Sequence, residues 1–327
     1  MKKFFIILLL SFNVLCGSQN DHLKYGTPSR NGTILEREGY VLLHDSLKKV
    51  PLWVSYHLTR QHLQGTQERV DRFKPDPDLP KGERAELSDY KGSGYDRGHM
   101  APAGDMKRSL NVMLESFYLS NMCPQEAGLN RYKWRILEEK VRNFTRKEGD
   151  SWIITGPVFM DMDNDGDKDC LEKIGSNKVW VPTHFYKIII DDDPVVTAYS
   201  FLMPNRKPEN DIEDYAVTVD SLEALTGFDF LNILPDSEEE AVESRILDVS
   251  LFLYAVGITE SSSHENKGKN EEYEEEKGGI IYHGNVKSKV FHKPGCRYYN
   301  CKDCTATFRS RQNAINAGYR PCKICKP

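Results

Sequence analysis

The stretch Asp96-Arg97-Gly98-His99 constrains this chain more than any other, because it sets an imidazole and a guanidinium between two turn-rich runs. These runs are Lys91-Gly92-Ser93-Gly94 before it and Ala101-Pro102-Ala103-Gly104-Asp105 after it, and both compositions are typical of turns. His99 is poorly placed there for core packing, and His is the side-chain type that titrates near neutrality. The pattern predicts a polar site in which His99 can act as a base and Arg97 can hold a phosphate.

A second polar motif follows between Asn121 and Arg142. Its residues Asn130 and Glu138 are eight positions apart, which on a helix places them two turns apart on nearly the same face. An amide oxygen suits a magnesium ion that keeps most of its water shell, and a carboxylate can hold those waters. An ordinary amphipathic helix with a Glu138–Arg142 ion pair would show the same spacing. The metal site is favoured because the His99 motif lies upstream.

The two motifs read YDRGHMAPAGDM and SNMCPQEAGLNRYKW, followed by LEEKVR, WIITGPVF and VWVPTHFYKIII. In this order they resemble the DNA/RNA non-specific endonucleases, which are ββα-metal nucleases, and the resemblance covers most of residues 40–260. It implies an α+β fold with a mixed or antiparallel sheet and helices. It also implies a magnesium-dependent endonuclease that hydrolyses phosphodiester bonds of DNA and RNA with little sequence preference.

The resemblance also implies roles for individual side chains. His99 would be the general base, and Asn130 would bind the catalytic Mg²⁺. Arg97, Asn121 and Glu138 would support the phosphate and the waters of the metal. We expect the carboxylate of Asp96 to orient the loop rather than to bind metal.

Two other classes of function remain alternatives. The chain could be a surface nucleic-acid-binding protein with an inactive nuclease domain, although the joint presence of His99, Asn130 and Glu138 argues against this. It could also be a phosphodiesterase that acts on small nucleotides.

Residues 1–18 are typical of a signal peptide: Lys2 and Lys3 precede an apolar run, and Cys16-Gly17-Ser18 resembles a cleavage region. We therefore expect a secreted or periplasmic protein, with a lipid anchor on Cys16 as a minor alternative. No internal stretch is long and apolar enough to predict a membrane span.

Charge divides the rest of the chain into three predicted parts. Residues 19–258, the nuclease domain, carry a net charge of −12; residues 259–278 form an acidic, disordered linker; and residues 279–327 carry +9. An acidic domain would have to hold nucleic acid through the metal and a local cluster such as Arg97, Lys107, Arg108 and Arg131. The basic tail could add attraction to polyanions. Arg72 is expected to be a surface residue.

Periodicity predicts the main elements of the nuclease domain. Residues 39–60 predict a strand pair that turns near Asp45, and residues 109–120 predict a helix. Three further strands are predicted at 152–159, 180–190 and 195–202. Helical spacing returns at residues 238–251.

An acidic run has the oxygen-ligand spacing of a calcium loop, with Asp161, Asp163, Asp165 and Glu172 as candidate ligands. The run follows a predicted strand and lacks flanking helices, so a solvated acidic loop is an equal alternative. Cys123 and Cys170 could form a disulfide in an exported protein.

The tail concentrates His292, Cys296, Cys301, Cys304, Cys322 and Cys325 in a segment too small for a sizeable core, which favours a structural Zn²⁺. Its end, NAINAGYRPCKICKP, is similar to the Ada-type zinc-binding domain. That resemblance implies His292, Cys296, Cys322 and Cys325 as ligands. Cys301 and Cys304 would then lie outside the site. They could form a local disulfide, or they could replace His292 as ligands; an all-disulfide module is the alternative. Methyl transfer is not implied. The Ada DNA-repair protein accepts the methyl group on a Cys, and His292 stands at the matching position in this chain.

Overall fold

The computed structural model describes residues 20–161, 171–253, 282–294, 296–299, 301–308, 314, 317, 319–322 and 325. Predictions for residues 1–18 including Cys16, for Asp163, Asp165 and Cys170, and for the linker 259–278 fall outside this part of the chain. The chain divides into two units, Met1–Ile258 and Thr259–Pro327.

The first unit is built on a seven-stranded sheet in which every neighbouring pair is antiparallel. The strand order is β1-β2-β3-β6-β9-β10-β11. The strands are β1 Thr33–Glu36, β2 Val41–Asp45, β3 Val50–Leu58, β6 Ser151–Val158, β9 His184–Asp191, β10 Thr197–Pro204 and β11 Ala216–Val217. The sheet and the helices around it confirm the predicted α+β class, and β2 and β3 confirm the predicted strand pair.

Alternation of side chains along the strands gives the sheet two apolar faces. On β2, Leu42 belongs to one core cluster, whereas Val41 and Leu43 belong to the other. Both faces are covered, which explains why β9 reads as a nearly continuous apolar run.

Helices and short hairpins cover the two faces. The helices are α1 Arg60–Leu63, α2 Leu87–Tyr90, α3 Leu110–Ser116, α4 Arg135–Glu148, α5 Val219–Thr226, α6 Asp236–Glu243 and α7 Ser250–Leu253. A separate antiparallel ribbon pairs β4 Asp96–His99 with β5 Met122–Gln125, and a small hairpin pairs β7 Lys173–Ile174 with β8 Val179–Trp180. A π-helical turn, Leu129–Trp134, leads directly into α4. Ribbon and helix together form a ββα unit.

Two sequence predictions differ from the structure in detail. The predicted strand 180–190 is interrupted, because Trp180 pairs within the β7–β8 hairpin and Pro182 has no N–H for a ladder. The predicted helix 238–251 is two helices, since α6 ends at Glu243 and the Asp248 carboxylate accepts the Ser250 N–H at 3.0 Å where α7 begins.

The second unit contains a four-stranded mixed sheet in the order β14-β12-β13-β15. Its strands are β12 Tyr282–Asn285, β13 Val290–His292, β14 Ala306–Phe308 and β15 Arg320–Pro321. Among the residues of this unit that the structure describes, the buried apolar cluster is Phe291, Ala314 and Tyr319. In a unit this short, a metal or a crosslink adds stability that a small core does not supply.

Two leucines of α5 give a matched test of the packing. Leu222 is fully buried against the sheet, whereas Leu225 is 40% exposed. We expect Leu222→Ala to lower the free energy of unfolding by about 2–5 kcal/mol, because it leaves a cavity, and Leu225→Ala to cost less than about 1 kcal/mol. Urea denaturation of both variants measures this, and equal losses would contradict the assigned face of the helix.

Candidate active site

The β4–β5 ribbon presents the first motif. Gly98 pairs with Cys123 and His99 with Met122. A Cβ on Gly98 would lie 2.2 Å from Oε1 of the buried Gln125, so the ribbon needs glycine at this position. The motif between the two turn-rich runs is therefore a short strand, and its side chains are held by backbone pairing.

A cavity of about 780 Å³ opens beside the ribbon. It brings together four of the five side chains that the resemblance implied, namely Arg97, His99, Asn130 and Glu138. Its remaining lining is Arg69, Phe73, Leu87, Tyr90, Lys91, Tyr95, Asp96, Pro102, Ala103, Gly104, Arg131, Arg135 and Arg142. Two motifs that are far apart in sequence therefore converge on one concave surface.

His99 is fixed by aromatic packing rather than by a carboxylate. Its ring centroid lies 5.6 Å from that of Phe73 and 5.0 Å from that of Phe117. Its Nε2 is buried without a hydrogen-bond partner in the described part of the chain. Burial, together with the positive charges of the nearby Arg69 and Arg97, lowers the pKa of His99 to about 3. The imidazole is thus neutral at physiological pH and can accept a proton.

Asn130 is oriented by the first motif. Its Nδ2 donates to Oδ2 of Asp96 at 2.9 Å, and Arg131 grips the same carboxylate with two nitrogens at 2.6 and 2.8 Å. These contacts hold the pKa of Asp96 below its usual value, with the Arg131 hydrogen bond the largest cause. Because the amide nitrogen of Asn130 is committed, its oxygen is the end left for a ligand.

Glu138 lies beside a buried network. Burial raises its pKa, while Lys187 and Arg142 oppose the shift. Arg142 does not pair with Glu138 as an i+4 partner; it donates to Oδ1 of the buried Asp105 at 2.9 Å. Lys187 on β9 is fully buried, with its Nζ 4.7 Å from the Trp134 ring and no hydrogen-bond partner among the described residues. Burial lowers the pKa of this lysine.

Asn121 does not reach the cavity, in contrast to its predicted role. It is fully buried, its Oδ1 accepts the Ala101 N–H, and its Nδ2 donates to the carbonyls of Ala101 and Ser116, each at 2.9 Å. With all its polar atoms engaged by backbone, it fixes the segment that follows β4.

The cationic lining also differs from the predicted cluster. Lys107 and Arg108 lie outside the cavity, and Arg108 donates to the Glu38 carbonyl instead. Arg69 and Arg135 contribute in their place, and neither stands in a distinctive sequence motif. Arg72 is exposed and does not line the cavity, as expected for a surface residue.

One candidate calcium ligand has a defined contact. Glu172 accepts a hydrogen bond from the Tyr95 hydroxyl at 2.6 Å. Asp161 is described, but Asp163 and Asp165 lie in a stretch outside the described residues, so calcium binding by this loop stays a prediction.

In the second unit, His292, Cys296, Cys322 and Cys325 converge, and one ligand atom of each lies within 4.8 Å of the others. One histidine nitrogen and three sulfurs suit tetrahedral Zn²⁺. Cys301 and Cys304 are joined in a disulfide, whereas Cys296, Cys322 and Cys325 are not disulfide-bonded. The all-disulfide alternative is therefore wrong, and Cys301 and Cys304 do not replace His292.

Comparison with known proteins agrees with this architecture. The family model for DNA/RNA non-specific endonucleases matches residues 18–237, and the model for the metal binding domain of Ada matches residues 272–327. The chain belongs to the DNA/RNA non-specific endonuclease family. It is a non-specific endonuclease of a metal-dependent family and carries an Ada-type zinc-binding domain at its C-terminal end.

Individual relatives support the assignment. Nuclease C1 of Cunninghamella echinulata var. echinulata is 39% identical over 224 residues, which are 64% of this chain and 88% of that nuclease. The mitochondrial nuclease of Saccharomyces cerevisiae is 35% identical over 248 residues, 71% of this chain and 74% of that protein. A crystal structure of the EndoG/EndoGI complex, concerned with the mechanism of EndoG inhibition, matches with a TM-score of 0.62 and 35% identity over 66% of this chain and 92% of that one.

No helix in the described part of this endonuclease combines the length and the apolar character that crossing a bilayer requires.

The low pKa of His99 predicts an acid-sensitive contribution to stability. Between the unfolded pKa of about 6.5 and the folded pKa of about 3, the unfolded chain binds a proton that the folded chain does not. Stability is therefore lost as pH falls through this window. In EDTA, we expect the melting temperature of His99→Asn to fall less between pH 7 and pH 4 than that of wild type. Parallel curves for the two proteins would show that His99 is not held neutral.

The cluster of His292, Cys296, Cys322 and Cys325 predicts about one Zn²⁺ per chain. Cys296→Ser should lose the metal, because it removes a ligand, whereas the Cys301→Ser, Cys304→Ser double variant should keep it. Metal content by atomic emission after gel filtration measures both. Retention of zinc by Cys296→Ser, or its loss from the double variant, would reverse the ligand assignment.

Proposed function

We propose that this endonuclease is an exported enzyme that hydrolyses DNA and RNA with the help of Mg²⁺ and with His99 as its general base. The observation that supports this most is that His99, Arg97, Asn130 and Glu138 line a single cavity. Export rests on residues 1–18, which have the pattern of a signal peptide.

His99 would remove a proton from the attacking water. Burial and two neighbouring arginines keep its imidazole neutral, and aromatic packing on Phe73 and Phe117 fixes the ring without engaging Nε2. A neutral, positioned nitrogen can take the proton as the water attacks phosphorus. The proton then has to leave to solvent before the next turnover.

Arg97 would orient the scissile phosphate. Its guanidinium lies 4.0 Å from the Phe73 ring, on the ring that also contacts His99. Contact with that ring limits the movement of the guanidinium, and a positioned guanidinium suits a bidentate grip on phosphate oxygens. Base and phosphate clamp are thus held by the same aromatic side chain.

The donor set fits Mg²⁺. The oxygen of Asn130 is left free when its nitrogen bonds to Asp96, and Glu138 lines the same cavity. One protein oxygen ligand and a carboxylate that holds water molecules match an ion that keeps most of its hydration shell. When bound, Mg²⁺ would supply positive charge against the charge that develops on the phosphate and on the leaving 3′-oxygen.

The distribution of charge supports a polyanionic substrate. Residues 19–258 carry −12, yet Arg69, Arg97, Arg131, Arg135 and Arg142 line the cavity. Positive charge concentrated in a cleft raises the local concentration of an anionic substrate. The tail, residues 279–327, carries +9 and would add salt-dependent attraction to nucleic acid.

Two variants test the assignment. His99→Ala should lower cleavage of supercoiled plasmid by at least about 100-fold, because the general base is lost. Asn130→Ala should raise the Mg²⁺ concentration needed for half-maximal cleavage. Cleavage rates of DNA and RNA over a range of Mg²⁺ concentrations, with EDTA as the zero point, measure both effects.

Asn143→Ala is the matched control, since Asn143 lies on α4 outside the cavity and should keep wild-type rates. Near-normal turnover by His99→Ala would overturn the role of His99. Efficient hydrolysis of a dinucleotide analogue but not of plasmid would favour a small-nucleotide phosphodiesterase.

A further inference from the structure

Three carboxylates meet on the face of the sheet opposite the ββα unit. Asp220 and Glu223 lie on α5, and Glu243 is the last residue of α6. One oxygen of each lies within 4.8 Å of the others. The flanking side chains Leu222 and Val242 pack into the apolar cluster on this face, so both helices are anchored there.

Backbone amides from a third segment orient two of these carboxylates. Phe230 N–H donates to Oε1 of Glu223 at 2.8 Å, and Leu231 N–H donates to Glu243. Phe230 and Leu231 are fully buried, so these two successive amides are firmly placed. Each glutamate thus has one oxygen fixed by backbone and a second that remains for another contact.

The second oxygen of Glu243 lacks such a contact in the described part of the chain. Glu243 is only 5% exposed, and its Oε1 is buried without a hydrogen-bond partner. The nearby Glu239 also has a buried Oε1 without a partner. Leaving an ionised oxygen out of water without a partner is costly, so this position calls for a positive group.

The described residues supply no positive group there. None of the ion pairs in this part of the chain joins Asp220, Glu223 or Glu243 to a Lys, Arg or His. The interactions of Glu223 and Glu243 with other charged groups are with acidic residues. Like charges held this close repel one another unless a cation or a proton lies between them.

We propose that Asp220, Glu223 and Glu243 form a structural calcium site that ties α5 to α6. Ca²⁺ binds carboxylate oxygens at about 2.4 Å, so two oxygens on one ion can be up to about 4.8 Å apart, which matches the observed cluster. Mg²⁺ requires shorter bonds of about 2.1 Å and near-octahedral geometry, which three acidic side chains from two helices satisfy less well. This site is separate from the catalytic cavity and from the run between Asp161 and Glu172.

Calcium-dependent stability tests the proposal with the full chain. We expect 1 mM CaCl₂, added to EDTA-treated and dialysed protein, to raise the melting temperature of wild type by about 5 °C. Glu243→Gln and Glu223→Gln should lose most of this shift. Titration calorimetry with CaCl₂ should show one site fewer in both variants than in wild type.

Glu240→Gln is the matched control, because it makes the same change on the exposed side of α6 and should keep the full shift. Mg²⁺-dependent plasmid cleavage by Glu243→Gln should equal that of wild type, which verifies folding independently of calcium. An equal calcium shift in Glu243→Gln and wild type would place the ion elsewhere, and no shift in wild type would mean that the carboxylates share a proton. Either outcome overturns the proposal.

Discussion

The hydrogen bond between Asp96 and Asn130 joins two parts of the chain that separately contain only fragments of a site. Asp96 lies on the ribbon that carries His99, and Asn130 lies on the turn that leads into the helix carrying Glu138. Arg131 donates hydrogen bonds to both oxygens of the same carboxylate. Because one acidic group both selects the orientation of the amide and binds the neighbouring arginine, ribbon and helix are held in one relative position. The cavity lies along this junction.

Several charged side chains are buried beneath the cavity. Asp105, Arg142 and Lys187 are all buried or nearly so between the sheet and α4. Burying charge is costly unless it is compensated, and here Arg142 and Asp105 compensate each other while Lys187 lies against the Trp134 ring. The electric field at Glu138 is therefore set by groups that solvent does not screen. Solvent screens these buried charges less than it screens the charges on the acidic surface of the domain.

The sequence predicted those parts of the structure that depend on residues close together in the chain. Alternation and apolar runs located β2, β3, β6, β9 and β10, and the two motifs located Arg97, His99, Asn130 and Glu138 in one cavity. It did not predict Lys187, because a single lysine within an apolar strand has no periodic signal. It assigned Asn121 to the metal waters, because an exposed and a buried asparagine look alike in sequence. Arg69 and Arg135 were missed, since only the tertiary arrangement brings them to the cavity.

The π-helical turn at Leu129–Trp134 has a consequence for the spacing of the second motif. Eight residues of regular α-helix rotate through two turns plus about 80°, so Asn130 and Glu138 would diverge by nearly a quarter of the circumference instead of sharing the face that their spacing was expected to give them. A wider turn rotates less per residue and brings the two side chains back towards a common azimuth. A regular α-helix would align the two side chains only at a separation of seven residues, which rotate through about 20° less than two turns, so the wider turn accommodates the extra residue. The distance between the two residues along the chain is thus as much a part of the site as their chemical identity.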